Sequence, residues 1–126
     1  MAYVGRVYRW DVFWADLEPH VGSEQAGESR PVLVVSTDGA NLHLPVVTVL
    51  PLTKLEGKTR KLAAFEILLP VGTVANENTP VALIHHIRSI SKLRLLDAAG
   101  RLTQVPAQER IETAMLIHLG IPFEDE

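Results

Sequence analysis

GSEQAGESRPVLVVS, residues 22–36, passes in one step from a polar, glycine-bearing loop to an almost wholly apolar run. The apolar part, RPVLVVS (30–36), is short and β-branched, and a turn-rich stretch precedes it, which predicts a buried strand. Pro31 is compatible with that strand at its first position, where a ladder donor is dispensable. Arg30 is the anomaly, a long cation at the mouth of a strand that has every reason to be buried. Such a residue either pairs with a neighbouring acid or holds an anion. On residue type alone the ion pair is the commoner outcome.

Working outward, DVFWADL (11–17) alternates apolar and polar residues and reads as a first strand. The dozen residues between it and Arg30 are too many for a tight hairpin, and loops of that length in small domains are usually either functional or disordered. TDGANLH (37–43) reads as a turn region. PVVTVLPLT (45–53) reads as a third strand, with Pro51 suggesting an edge or a bulge. AFEILLP (64–70) and VALIHHIRSIS (81–91) follow as the fourth and fifth strands, and SKLRLL adds a helical turn. The period then changes. Thr103 is the expected N-cap, Pro106 falls in the first turn, and Ile111, Ala114, Met115, His118 and Leu119 recur on one helical face. Gly120 and Pro122 end that helix. The expected fold is therefore α+β, a small, mostly antiparallel β-barrel with a C-terminal α-helix.

The chain has 126 residues, 47% of them hydrophobic and 21% charged, which fits one globular domain over 1–126 with a lead-in at 1–9 and an acidic tail at 122–126. With no cysteine, disulfides and thiolate metal sites are excluded. No apolar run reaches the ~20 residues of a membrane span, and the N-terminus lacks a signal-peptide core, so a cytoplasmic protein without membrane contact is expected. The net charge of −3 does not advertise nucleic-acid binding, but its distribution is uneven: Lys54, Lys58, Arg60 and Lys61 crowd one stretch, while FEDE ends the chain. That basic stretch is either a solvated loop or a track for a phosphate backbone.

His85 and His86, adjacent on a strand, are expected on opposite faces, a poor arrangement for one metal ion. His86 is the candidate to face a ligand groove, and His118 is expected to be structural. Trp14 is assigned to the core, whereas Trp10 is either core or a stacking surface for a base.

Taken in order, DVFWADL, GSEQAGESRPVLVVS, VVTVLPLTK, ALIHHIRSIS and MLIHLGI resemble the MazF/PemK family of toxins from type II toxin–antitoxin modules, over residues 9 to 121. The resemblance implies an SH3-like barrel, a homodimer, and a metal-independent, cofactor-free endoribonuclease (an mRNA interferase) that cuts single-stranded mRNA and is neutralised by a cognate antitoxin. It implies that Arg30 and Thr53 are catalytic. It makes Ser23, Glu24 and Gln25 of the GSEQ loop, with Lys54, His86 and Arg88, the candidate RNA contacts. Three departures stand out: Trp10 where glycine is usual, a loop between Gln25 and Arg30 about one residue longer, and His86 in place of a glutamine.

The chemistry suits those residue types. RNA is cleaved when its 2′-OH attacks the adjacent phosphorus, leaving a cyclic phosphate and a free 5′-OH. Arg30 presents a rigid fork to two phosphate oxygens, and its high pKa favours an electrostatic role, with proton donation to the leaving oxygen as the alternative. The Thr53 hydroxyl can donate to a non-bridging oxygen as charge builds there. DNA lacks the nucleophile. The rival reading is a toxin of the same fold that binds a protein such as DNA gyrase without cutting RNA, and it has no chemical need of an Arg30–Thr53 pair. A third is a barrel that has kept peptide binding and lost activity.

Overall fold

A computed structural model of the chain describes residues 2–19, 21–24, 29–55 and 62–124. The first strand, β1 (Asp11–Ala15), lies between β2 (Arg30–Val34) and β7 (Leu95–Arg101), antiparallel to both. On its other edge β2 pairs with β3 (Val46–Lys54). Strands flanked on both edges and packed on both faces need apolar side chains in both pleat directions. This is why RPVLV and the middle of β3 read as continuous apolar runs.

The far edge of β3 carries two strands in succession. β6 (Arg88–Ser91) pairs with its first half and β5 (Pro80–Leu83) with its last residues, and β4 (Glu66–Leu68) pairs with β5. The sequence suggested one strand over 81–91, but a 3-10 turn over Ile84–His86 interrupts it. The interruption is level with Leu50 and Pro51, and Pro51 has no N–H to contribute to a ladder. Pro51 therefore marks a break in its neighbour, while β3 itself is central and not an edge. All pairings are antiparallel, in the order β4-β5-β3-β2-β1-β7, and the described strands form an open path. The connection leaving β4 nevertheless meets β7 at one bridge, Val74 opposite Gly100.

Two clusters form the core. Val12, Leu33, Leu50, Leu52 and Ile84 pack with Ala107 and Ile111 of α2 (Val105–Leu119). Phe13, Val32, Val34, Val49, Ile90 and Leu95 fill the opposite face. Burying each Val, Leu, Ile or Phe side chain among them contributes about 1.5–3 kcal/mol. The lead-in belongs to the second cluster: Val7 is buried, and the Tyr3 ring lies 4.7 Å from that of Phe13.

Local differences from the sequence reading have local causes. Residues 37–43 hold a short helix, α1 (Asp38–His43), whose N-cap Thr37 accepts a bond from the Ala40 N–H. α2 starts after Gln104, which makes no side-chain cap, and Thr103 is not the N-cap. Pro106 stands in its first turn, and Gly120 ends it in the left-handed conformation. Its apolar stripe is narrower than the spacing implied, because Leu119 is exposed at the helix end. The helical turn after the fifth strand is a 3-10 turn over Lys92–Arg94, with Ser91 accepting from the Leu93 N–H. β7 was not anticipated.

Trp10, at φ +76°, occupies backbone space that glycine enters freely. Only 8% of it is exposed, and its ring sits in the core with the Arg9 guanidinium 4.5 Å above the ring centre. Its main chain is tied on both sides, N–H to Val34 O at 2.8 Å and carbonyl to the Leu102 N–H at 2.9 Å. Arg9 anchors the same corner to α2 through Glu112 at 3.2 Å.

Candidate functional site

Arg30 opens β2, and Thr53 is the penultimate residue of β3. Val32 is opposite Pro51, so Arg30 and Thr53 stand one pleat repeat further out on their strands. With a side-chain period of two, both share the face of Val32 and Pro51. Arg88 is opposite Val49 and belongs to that face too. Three strands thus bring three of the sequence-selected residues to one side of the sheet. All three are half-buried.

At the strand ends a cleft of about 320 Å³ opens, lined by Trp14, Arg30, Thr53, Lys54, Glu77 and Pro80 among others. Residues of both pleat directions meet here, Arg30 and Thr53 from one and Trp14, Pro31, Leu52 and Lys54 from the other. Lys54 Nζ lies 3.4 Å from Glu77 Oε1, the lysine side chain 63% exposed and the glutamate 18%. Trp10, for which core and base stacking were both open, is settled by burial, and Trp14, assigned to the core, packs against it only partly buried. Trp10 is core, whereas Trp14 is half-buried and presents itself to the cleft. Glu77 was not singled out in the sequence. It comes from the loop ahead of β5, where one acid among polar residues carries no periodic signal.

A second hollow, of about 170 Å³, adjoins Pro51 and is lined by Glu24, His85, His86, Ile87 and Arg88. The histidines do not point to opposite faces of a strand. They occupy the 3-10 turn, with ring centres 4.4 Å apart and planes inclined at 60°. Burial, then the neighbouring His85, push the His86 imidazole below its ordinary value, and the Glu24 carboxylate partly opposes them. Glu24 also accepts the Val21 N–H at 2.5 Å, which folds the loop tip onto itself. Ser23 is exposed on the same tip. Gln25 and the basic residues Lys58, Arg60 and Lys61 lie outside the described residues. His118 takes the structural place expected for it, its ring edge-on to Phe65 at 4.9 Å.

The cleft and the hollow together present guanidinium, ammonium and imidazole groups with the hydroxyls of Ser29 and Thr53 and the carboxylates of Glu24 and Glu77. Guanidinium and hydroxyl donors suit a tetrahedral oxyanion, and a flat indole lining the cleft suits a base. No group of three or more His, Asp or Glu side chains is gathered to hold a metal ion among the described residues. No described helix is long and apolar enough to cross a membrane.

Comparison with known proteins bears on what such a surface does. The model of the "PemK-like, MazF-like toxin of type II toxin-antitoxin system" family matches residues 8–118. Endoribonuclease EndoA of Bacillus subtilis is 36% identical over 115 residues, covering 91% of this chain and 96% of the relative. Endoribonuclease MazF9 of Mycobacterium tuberculosis is 34% identical over 118 residues, covering 90% and 96%. Among solved structures, an endoribonuclease in complex with its cognate antitoxin from a mycobacterial species superposes with a TM-score of 0.72 at 24% identity, covering 94% of this chain and 99% of that one.

Proposed function

The chain belongs to the PemK-like, MazF-like toxins of type II toxin–antitoxin systems, and from that premise we propose that it is a metal-independent endoribonuclease cutting single-stranded mRNA. The observation that carries the reading is the meeting of Arg30 and Thr53, from adjacent strands, at one cleft. Arg30 binds the scissile phosphate through its forked donors and stabilises the charge that grows on the phosphorus oxygens. Thr53 donates its hydroxyl to a non-bridging oxygen, and removing one such donor typically costs ~10²–10³ in rate. The substrate's 2′-oxygen attacks, the bond to the 5′-oxygen breaks, and the products are a 2′,3′-cyclic phosphate and a 5′-hydroxyl.

Ser23, Glu24, Gln25, Lys54, His86 and Arg88 hold the RNA on either side of that phosphate. Arg88 and Lys54 contribute charge, and the GSEQ loop and His86 contribute hydrogen bonds to bases. The fold is read as an SH3-like barrel, supported by the Val74–Gly100 bridge between β7 and the connection leaving β4. The whole chain acts as one toxin domain and works as a cytoplasmic homodimer. A cognate antitoxin neutralises it by laying an acidic segment over the Arg30, Lys54 and Arg88 surface, where it excludes RNA by occupying the same cations. The complex of the mycobacterial endoribonuclease with its antitoxin supports that partner.

The test is incubation of purified, antitoxin-free protein in EDTA with a long mixed-sequence RNA and its DNA counterpart. Arg30→Ala and Thr53→Ala variants are assayed beside it. Cutting of RNA alone, at a few short motifs and lost in both variants, is expected. Intact RNA with well-folded wild type overturns the reading.

A further inference from the structure

The reaction proposed above needs a group that takes the proton from the 2′-OH, and Arg30 is a poor candidate because guanidinium holds its proton at any working pH. Thr53 is no base, and Lys54 at 63% exposure is a hydrated ammonium. One side chain lining the Arg30–Thr53 cleft, among the described residues, is built to accept a proton: Glu77. It is held rather than free. Its side chain is only 18% exposed, Lys54 Nζ stands 3.4 Å from its Oε1, and its own main chain is fastened in a turn, N–H to Val74 O at 3.1 Å. The turn is clamped to β3 by the bond from the Leu55 N–H to Thr79 O at 3.0 Å, one residue beyond Lys54.

The other described carboxylate near the site, Glu24, lines the neighbouring hollow and is engaged with the Val21 N–H. We propose that Glu77 is the general base of the cleavage reaction, accepting the 2′-hydroxyl proton while Arg30 and Thr53 hold the phosphate. This rests on the ribonuclease reading of the same cleft.

The step balances. The 2′-O–H bond breaks with its proton passing to a Glu77 oxygen, the 2′-oxygen bonds to phosphorus, and the bond from phosphorus to the 5′-oxygen breaks. The departing oxygen takes a proton from water, and the proton on Glu77 returns to the hydroxide so formed. Among the described residues, Lys54 of β3 is ion-paired with Glu77, and Arg30 of β2 lines the same cleft. A positioned base of this kind contributes ~10²–10⁴ in rate.

The experiment compares wild type, Glu77→Gln, Lys54→Met and Arg30→Ala on a short RNA containing one cleavage motif. It measures kcat, KM and the pH–rate profile, with thermal unfolding of each variant as the fold control. Glu77→Gln keeps the shape and the hydrogen-bonding capacity but cannot take up a proton. It is expected to lower kcat by ~10²–10⁴ with KM changed only a few-fold, and to lose the acid-side fall of the wild-type profile. Lys54→Met removes the ion pair but leaves the carboxylate, so it is expected to raise KM and keep the acid-side fall. Glu77→Gln with wild-type pH dependence, or with the same kinetic defect as Lys54→Met, reduces Glu77 to a partner of Lys54 and overturns the proposal. If wild type cuts while Arg30→Ala does not, that failure is confined to Glu77. If wild type leaves the RNA intact, the ribonuclease reading falls and the proposal with it.

Discussion

Lys54 Nζ and Glu77 Oε1 stand 3.4 Å apart on the wall of the cleft that Arg30 and Thr53 also line. On the function proposed above, this basic surface binds the scissile phosphate and its one half-buried carboxylate moves a proton, which makes Arg30 the residue least open to conservative exchange. Arg30→Lys keeps the charge but loses the planar fork, so cleavage is expected to fall ~10²–10³-fold, close to the effect of Arg30→Ala. Thr53→Ser keeps the hydroxyl and should retain most of the activity that Thr53→Ala loses. Steady-state kinetics on one RNA substrate check both pairs, and an Arg30→Lys enzyme within a few-fold of wild type contradicts the bidentate role.

His86 supplies a prediction about stability rather than rate. Its imidazole is pushed below the ordinary value of 6.5 by burial and by His85. Between that lowered value and 6.5 the unfolded chain binds more protons than the folded one, so stability falls as pH drops below 6.5 and is recovered above it. His86→Gln removes this acid penalty. The melting temperature of the variant relative to wild type should therefore rise as pH is lowered from 8 to 5. A difference that stays constant over that range contradicts the burial of His86.

Trp10 tests a backbone argument. Its left-handed conformation costs an L-residue ~1–2 kcal/mol, while its buried ring contributes ~3–5 kcal/mol. Trp10→Ala loses the ring and keeps the strain, whereas Trp10→Gly loses the ring and relieves it. Both are expected to be less stable than wild type, with the glycine variant ~1 kcal/mol above the alanine variant by chemical denaturation. The reverse order contradicts the assignment.

Gly100 allows β7 to approach the connection leaving β4. A Cβ there would overlap the Thr73 carbonyl oxygen. Gly100→Ala is expected to cost ~1–3 kcal/mol by forcing the Val74 bridge apart. Hydrogen exchange at the Ala75 N–H, bonded to Ala99 O at 2.8 Å, should then accelerate more than exchange at the Val35 N–H, bonded to Thr48 O on the far side. Equal acceleration at both contradicts a local effect.

What was legible in the sequence follows from how strongly each element constrains its residues. β1 to β3 are flanked on both edges, so their apolar runs could be read directly. β7 pairs with β1 at the end of the strand path and leaves most of LLDAAGR outside the core, which removes the alternation that would have revealed it. α1 is too short for a helical period to register. The break at Ile84–His86 was hidden because Ile-His-His-Ile looks as extended as its neighbours, and only Pro51, on a different strand, hinted at it. At the site, Arg30 stood out by place and type, whereas Thr53 was singled out only through the family resemblance. Glu77 and Trp14 did not stand out, because one comes from a loop and the other from a strand whose aromatic residues looked alike. Closure of the antiparallel strand path into a barrel leaves no trace in sequence periodicity.

The central claim is that the substrate's own 2′-oxygen makes the cut. The direct measurement uses one RNA carrying the cleavage motif, all-ribose in one version and with a single 2′-deoxy nucleotide immediately 5′ of the scissile phosphate in the other. Both are incubated with the protein in EDTA and their product ends determined. The account predicts cleavage of the all-ribose strand to a 2′,3′-cyclic phosphate and a 5′-hydroxyl, and no cut at that phosphate in the deoxy version. Cleavage of the deoxy-substituted strand at the same bond would contradict it.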